Sequence, residues 1–293
     1  VYRKLVFKND PEAETYILDM NKKQFYRPNW DAPLEVFPKE VPSDMPDIVF
    51  QISSGLYGTR DKNGKFDAYR YQKVMSFCQM TEIKIAQGAK QTGGKLSGQK
   101  VTPAIAYYRN VEAYKDVFSP NRFPYANSIE ELFDFIGTLQ ELSGKPVGMK
   151  IVISDMQNIE PYAKEIKRRV DLGIDAYPDY ITLDSGSGGS ATAPLEMMER
   201  VGLNVRDSVY LVNKVLTDYG VRDKVRIVAS GKILTPDDII IVMSLGADFL
   251  QIARGFMMSA GCIRARYCSG TTGRQCPVGL ATQDKSKRKK YFV

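Results

Sequence analysis

Six short apolar runs rich in β-branched residues, separated by stretches of helical period, constrain this chain more than any other feature. The runs span 48–52, 82–86, 147–153, 180–183, 225–229 and 249–253. Between them, apolar residues recur near every 3.6 positions over 68–80, 128–142, 159–172, 206–219 and 236–245. Strands of this length alternating with such helices predict an α/β fold with a parallel sheet, either doubly wound or a β/α barrel. Two helix starts are explicit. Ser128 precedes Glu130 and Glu131, and Thr235-Pro236-Asp237-Asp238 sets a cap before a proline and two acids.

The glycines choose between the two folds. Small-residue clusters follow strand after strand: Ser53-Ser54-Gly55, Gln87-Gly88-Ala89-Lys90, Ser185-Gly186-Ser187-Gly188-Gly189, Ser230-Gly231-Lys232 and Arg254-Gly255. An open doubly wound sheet gathers its ligand loops at one switch point, whereas a barrel builds its site from the ends of many strands. The pattern predicts a TIM-type (β/α) barrel, with the last two clusters placed to receive a phosphate. Two near-motifs fail. Gly93-Gly94-Lys95-Leu96 lacks the leading Gly and the trailing Ser or Thr of a P-loop, and Gly186-Ser187-Gly188-Gly189 lacks the third Gly of a dinucleotide fingerprint.

Composition removes several chemistries. There is no histidine among the 293 residues, so Ser-His-Asp, Cys-His and His-ligated metal mechanisms are excluded, and protons must move on Lys, Tyr, Cys, Asp, Glu, substrate or water. Four cysteines are too few for a secreted disulfide framework and predict an intracellular, reducing compartment. No apolar run is long enough for a membrane span, and Val1-Tyr2-Arg3-Lys4 carries no signal-peptide pattern. Of the net charge of +7, five charges come from Lys285-Ser286-Lys287-Arg288-Lys289-Lys290. The body is nearly neutral, which argues against a nucleic-acid partner. The organisation expected is an irregular arm over 1–46, with short strands at 4–7 and 15–18, a barrel over 47–284, and a basic tail over 285–293.

Read together, the clusters form an ordered series. Glu82-Ile-Lys-Ile-Ala-Gln-Gly-Ala-Lys90, Gly93-Gly94, Lys100-Val-Thr-Pro103 and Arg109-Asn110 are followed by Leu183-Asp-Ser-Gly-Ser-Gly-Gly-Ser-Ala-Thr-Ala-Pro194. Val228-Ala-Ser-Gly-Lys-Ile233, Leu245-Gly-Ala-Asp248, Gly261-Cys262 and Cys276-Pro-Val-Gly-Leu-Ala-Thr-Gln283 complete it. Over about residues 47–284 the series resembles the FMN-binding domain of the glutamate synthase family, closest to its stand-alone members.

The resemblance implies an eight-stranded β/α barrel holding FMN, in which ammonia and 2-oxoglutarate, or a related keto acid or imine, yield an amino acid. It implies that Gln51, Ser53, Ser54, Gly55 and Gln87 line the flavin and that Lys150 approaches its electron-rich edge. Gly188, Gly189, Ser230, Gly231, Arg254 and Gly255 would surround the ribityl and phosphate groups. Lys84 and Lys90 would be catalytic, with Lys90 and Arg109 binding the substrate carboxylates. Cys262, Cys268 and Cys276 would correspond to ligands of a three-iron (3Fe-4S) cluster, here with seven residues in the second spacing where the family has four. Cys78 reads as core. Only six of the eight strands are legible, and the prolines at 28, 33, 38, 42 and 46 make the arm a poor source of central strands. A protein partner or further segment completing the barrel is therefore expected. The alternative to an enzyme is a catalytically silent, flavin-free subunit of a larger assembly.

Overall fold

The computed structural model describes residues 17–19, 24–26, 46–89, 94–188, 193, 196–267 and 276–281. A small antiparallel hairpin, β1 (Ile17–Asp19) and β2 (Gln24–Tyr26), comes first. Strand β3 (Val49–Ile52) then leads through a loop to α1 (Ala68–Met75), and β4 is Met80–Lys84. A small lobe of β5 (Lys95–Leu96), α2 (Pro103–Arg109) and β6 (Val117–Phe118) precedes α3 (Ile129–Ser143). The alternation resumes with β7 (Val147–Ile151), α4 (Glu160–Asp171), β8 (Tyr180–Asp184), α5 (Val205–Asp218) and β9 (Arg226–Ser230). It ends with α6 (Pro236–Ser244), β10 (Phe249–Gln251) and α7 (Arg254–Ser259).

The main sheet has the order β3-β4-β7-β8-β9-β10, every pair parallel. The order follows the sequence without reversal, so the described strands form no switch point and do not make a doubly wound sheet. The sheet also curls. In a flat sheet β4 and β10 would lie roughly 19 Å apart, four spacings of about 4.8 Å. Yet Gln251 on β10 donates to the Glu82 carboxylate on β4 at 3.3 Å. Only a strongly concave sheet brings those side chains together, and the result is a six-stranded half-barrel. The six expected strands are all present.

Alternation along the strands sorts the two faces. Ile52, Ile83, Met149, Ile181, Leu183, Ile227 and Ala229 pack outward, with Leu132, Ile136, Ile166, Val209 and Val212 of the helices, in one core. The expected caps are made: Ser128 Oγ accepts from the Glu131 N–H at 3.1 Å, and Thr235 Oγ1 from the Asp238 N–H at 3.2 Å. The long helix expected at 68–80 is corrected, because α1 stops at Met75 and Met80 already belongs to β4. Lys145 Nζ donates to the Met75 and Cys78 carbonyls in the turn between, and Cys78 is buried there as core. Apolar spacing alone had merged that turn with the helix. Helices α2 and α7 and the pair β5–β6 were not foreseen, being too short to carry a period. The expected strand at 4–7, the prolines before Pro46 and the basic tail lie outside the described residues.

One ion-pair network ties α3 to α4. The Glu165 carboxylate accepts from Arg168 and Arg169, and Arg169 also pairs with Asp134 and donates to the Ala176 and Glu130 carbonyls. The Arg168 bond first, with Arg169 adding to it against the cost of burial, lowers the Glu165 carboxyl from 4.5 to about 2. A depressed carboxyl contributes stability above its unfolded value that is lost as pH falls through the folded one. Glu165→Gln should therefore lower stability by about 2–3 kcal/mol at neutral pH. It should also flatten the loss of stability between pH 4.5 and 2, as measured by urea unfolding across that range.

Candidate functional site

The concave face opposite the helices carries polar groups where an ordinary parallel sheet would be apolar. At its centre is Glu82, 2% exposed. Gln51 on β3 donates to Oε1 at 2.5 Å, Thr182 on β8 donates to Oε2 at 2.5 Å, and Lys150 Nζ on β7 lies 3.7 Å from Oε1. With Gln251, four other strands address one carboxylate. Below it the Tyr180 ring lies over Gly148, where a Cβ would meet the ring at 2.5 Å, and its hydroxyl donates to the Thr81 carbonyl. Burial first, and the Glu82 charge second, push the Tyr180 phenol well up, so it stays a neutral donor.

One layer above, Lys84 and Lys150 stand side by side in register, and Lys84 Nζ donates to Gln87 Oε1 at 2.7 Å. The floor is thus a buried anion beneath two lysines.

The loops at the strand C-terminal ends close on one another through their glycines. A Cβ on Gly88 would sit 1.9 Å from the Ser185 carbonyl oxygen, and one on Gly231 (φ +129°) 1.9 Å from Ser185 Oγ. The Gly88 N–H donates to Asp184 Oδ2 at 3.0 Å, and the Ser185 N–H to the Ser230 carbonyl. These contacts weld the ends of β4, β8 and β9 into a ledge. Behind the β9 end lies a group of cations. Burial, then the neighbouring charges of Arg254 and Arg264, lowers the Lys232 ammonium; burial, then Arg264, lowers the Arg254 guanidinium. Lys232 is paired with Glu199. Arg254 and Arg264 have no acidic partner among the described residues.

At the other edge, Ser53 and Ser54 follow β3, and Ser54 Oγ donates to the Pro120 carbonyl at 2.5 Å. A Cβ on Gly55 would fall 2.3 Å from the Tyr57 ring, so Gly55 is where that ring lies against the backbone. The Tyr57 hydroxyl reaches the Phe118 carbonyl, and Arg109, the last residue of α2, places its guanidinium 5.1 Å from the Tyr57 centroid.

The sequence-expected residues are therefore distributed as follows. Gln51, Lys84, Lys150 and Ser230 lie on the strands of the floor; Ser53, Ser54, Gly55, Gln87, Gly188 and Gly231 are in the loops above it. Arg254 and Gly255 open α7, and Arg109 sits in the lobe. Lys90, Gly189 and Cys268 lie outside the described residues. No three His, Cys, Asp or Glu side chains among the described residues converge to hold a metal. Cys276 is buried, which raises its thiol, but N–H groups of Ala281, Val278, Gly279 and Leu280 outweigh that and lower it. Sequence reasoning missed Glu82 as a site residue. The signal was present in Glu82-Ile83-Lys84-Ile85, whose strict alternation puts both charges on one strand face.

A parallel β/α half-barrel with a charged floor and cations near its C-terminal strand ends defines a protein of the TIM-barrel class, a fold that places its ligand sites at that face. Comparison of the sequence gives the family. The model described as the conserved region in glutamate synthase matches residues 34–293, and the chain belongs to that family. It is 40% identical over 249 residues to the glutamate synthase large subunit-like protein YerD of Bacillus subtilis, covering 84% of this chain and 46% of that protein. To the archaeal-type glutamate synthase [NADPH] of Thermotoga maritima it is 32% identical over 256 residues, covering 86% and 46%. To the glutamate synthase [NADPH] large chain of Azospirillum brasilense it is 31% identical over 243 residues, covering 82% and 14%. The chain thus spans about half or less of the length of these relatives.

The floor generates a test of its own. Glu82→Ala leaves Lys150 buried without its counter-charge and should cost about 3–5 kcal/mol in denaturant unfolding. Glu82→Gln keeps the hydrogen-bonding shape and should cost less.

Proposed function

We propose that this chain carries the FMN and keto-acid sites of a glutamate-synthase-type oxidoreductase, acting on 2-oxoglutarate or a related keto acid with ammonia. The observation that carries the reading is the placement of charge. Arg254, Arg264 and Lys232 gather beyond the β9 and β10 ends, Arg109 stands beyond the β3 end, and the Lys84–Lys150 pair lies on the floor between. A ligand with a phosphate at one end and a polar ring system, beside a carboxylate substrate, matches that order. The residues fit FMN: two guanidiniums without acidic partners suit its phosphate, and Lys150, Gln51 and Gln87 suit the hydrogen-bonding edge of its ring.

In this reading Gly231, Ser230, Gly188, Gly189, Arg254 and Gly255 hold the phosphate and ribityl chain. Ser53, Ser54 and Gly55 border the ring, and Lys90 and Arg109 orient the carboxylates. FMN, when bound, supplies the electron pair that reduces the imine formed from the keto acid and ammonia. With no histidine in the chain, Lys84 and Lys90 are the groups proposed to hold and release protons there, Lys84 being kept in place by Gln87. A three-iron cluster on Cys262, Cys268 and Cys276 remains an implication of family membership, and no step is derived through it. A flavin-free, silent subunit is the lesser reading, since clustered cations without acidic partners cost stability with no ligand to offset them.

The test compares FMN with riboflavin, which lacks the phosphate, by quenching of flavin fluorescence. The chain should prefer FMN, and Arg254→Gln should lose about 1.5–3 kcal/mol of FMN affinity while leaving riboflavin binding unchanged. Equal affinity for the two flavins would remove the phosphate assignment. Anaerobic reoxidation of the photoreduced complex by 2-oxoglutarate with ammonium then tests the reaction.

The proposal includes a cover for the sheet. Both edge strands, β3 and β10, lack a second neighbour among the described residues, and Val49 and Phe249 upon them are 49% and 59% exposed. Unpaired apolar edges template association. The isolated chain should sediment as oligomers or aggregates and become monodisperse when a polypeptide supplying the remaining strands is co-expressed; a well-folded lone monomer would refute this.

A further inference from the structure

Several arginines of this chain are paired with acids: Arg168 and Arg169 meet Glu165, Arg206 meets Asp238, and Arg222 meets Asp248. Arg60 is not. Its guanidinium lies 5.7 Å from the Tyr57 ring centroid, on the same ring that Arg109 approaches to 5.1 Å. Neither arginine has an acidic partner among the described residues. Arg60 Nη1 makes only a long bond, 3.4 Å, to the Gly55 carbonyl, and its Nε is buried with no hydrogen-bond partner.

The arrangement is built rather than incidental. Asn110, left-handed at the end of α2, donates to the Arg60 carbonyl at 3.1 Å and so fixes the lobe carrying Arg109 to the loop carrying Arg60. Gly64 (φ +82°) folds the loop so tightly that a Cβ there would lie 2.8 Å from Arg60 Nη2. Gly55 admits the Tyr57 ring, and the Phe118 carbonyl anchors its hydroxyl. Two guanidiniums repel, and one aromatic ring compensates only part of the cost. A planar anion with two oxygens has the charge and the shape that guanidiniums pair with.

We propose that Arg60 is a substrate-binding residue, and that a carboxylate of the keto acid is held by Arg60 and Arg109 at the Tyr57 ring. The choice of ligand rests on the keto-acid reading above, but the site does not require flavin. Its first test uses the whole wild-type chain, with and without FMN. Arginines are labelled with phenylglyoxal and located by mass spectrometry, in the presence of 2-oxoglutarate or inorganic phosphate. 2-Oxoglutarate should protect Arg60 and Arg109 together, leaving Arg206 labelled as before. An unprotected Arg60 overturns the proposal, and equal protection by phosphate overturns the carboxylate assignment. If the wild-type chain binds no FMN yet 2-oxoglutarate still protects Arg60, this site stands and the flavin reading falls. In the second test Arg60→Gln should raise the dissociation constant for 2-oxoglutarate about tenfold or more, the loss of one charge-assisted bond, with FMN affinity unchanged. Arg60→Lys should recover part of it. Unchanged 2-oxoglutarate affinity in a folded Arg60→Gln variant overturns the role; if that variant does not fold, the wild-type labelling decides.

Discussion

A single buried carboxylate organises this half-barrel. Glu82 receives Gln51 from one edge strand, Gln251 from the other, Thr182 from between them and the Lys150 charge from the neighbouring strand. An ionised carboxylate in a protein interior costs several kcal/mol unless its lone pairs are met, and here they are met by near neighbours in the sheet and by Gln251, which only a curled sheet brings within reach. The curvature and the charge are therefore the same constraint. Flattening the sheet would take Gln251 away from Glu82, and removing Glu82 would take away the polar tie between edges five strand spacings apart.

What lies above the floor follows from that curvature. The strand C-terminal ends converge, and the loops leaving them have little room. Gly88, Ser185 and Gly231 meet at distances no side chain at the glycine positions would allow. Their small residues first serve to let loop backbones touch. The sequence pattern of glycines after strands thus combines a packing requirement with whatever ligand role the exposed amides take. The charged residues are less ambiguous, since packing does not require Arg254 or Arg264 to approach each other and Lys232 without acids enough to neutralise them.

The legible part of the fold was the part governed by period. Strands were found because four or five apolar residues between turns leave no other buried conformation, and caps at Ser128 and Thr235 because their side chains must meet free N–H groups. The 68–80 helix was overextended because the Lys145 plug that ends it comes from distant sequence. Glu82 was legible as an inward position but not as a hub, since Gln251 lies 169 residues away and its approach depends on curvature. Arg60 was not legible at all. A loop arginine before an aspartate reads as surface until its Nε is found buried and the Tyr57 ring is found close to both cations.

The open side of the barrel and the strength of the site are coupled. Charges act more strongly where water is excluded, and the floor of this site faces the concavity that a complete barrel would enclose. Gln51, although bonded to Glu82, lies on an edge strand and is exposed. Covering β3 and β10 would bury it, lower the local dielectric around Glu82 and Lys150, and sharpen the attraction between them. The same cover would raise the cost of leaving Lys84 and Lys150 side by side unless an electron-rich ligand edge stood against them. Under the proposed reading, closure of the barrel and occupation of the site would therefore favour one another on electrostatic grounds, without any contact between the cover and the ligand.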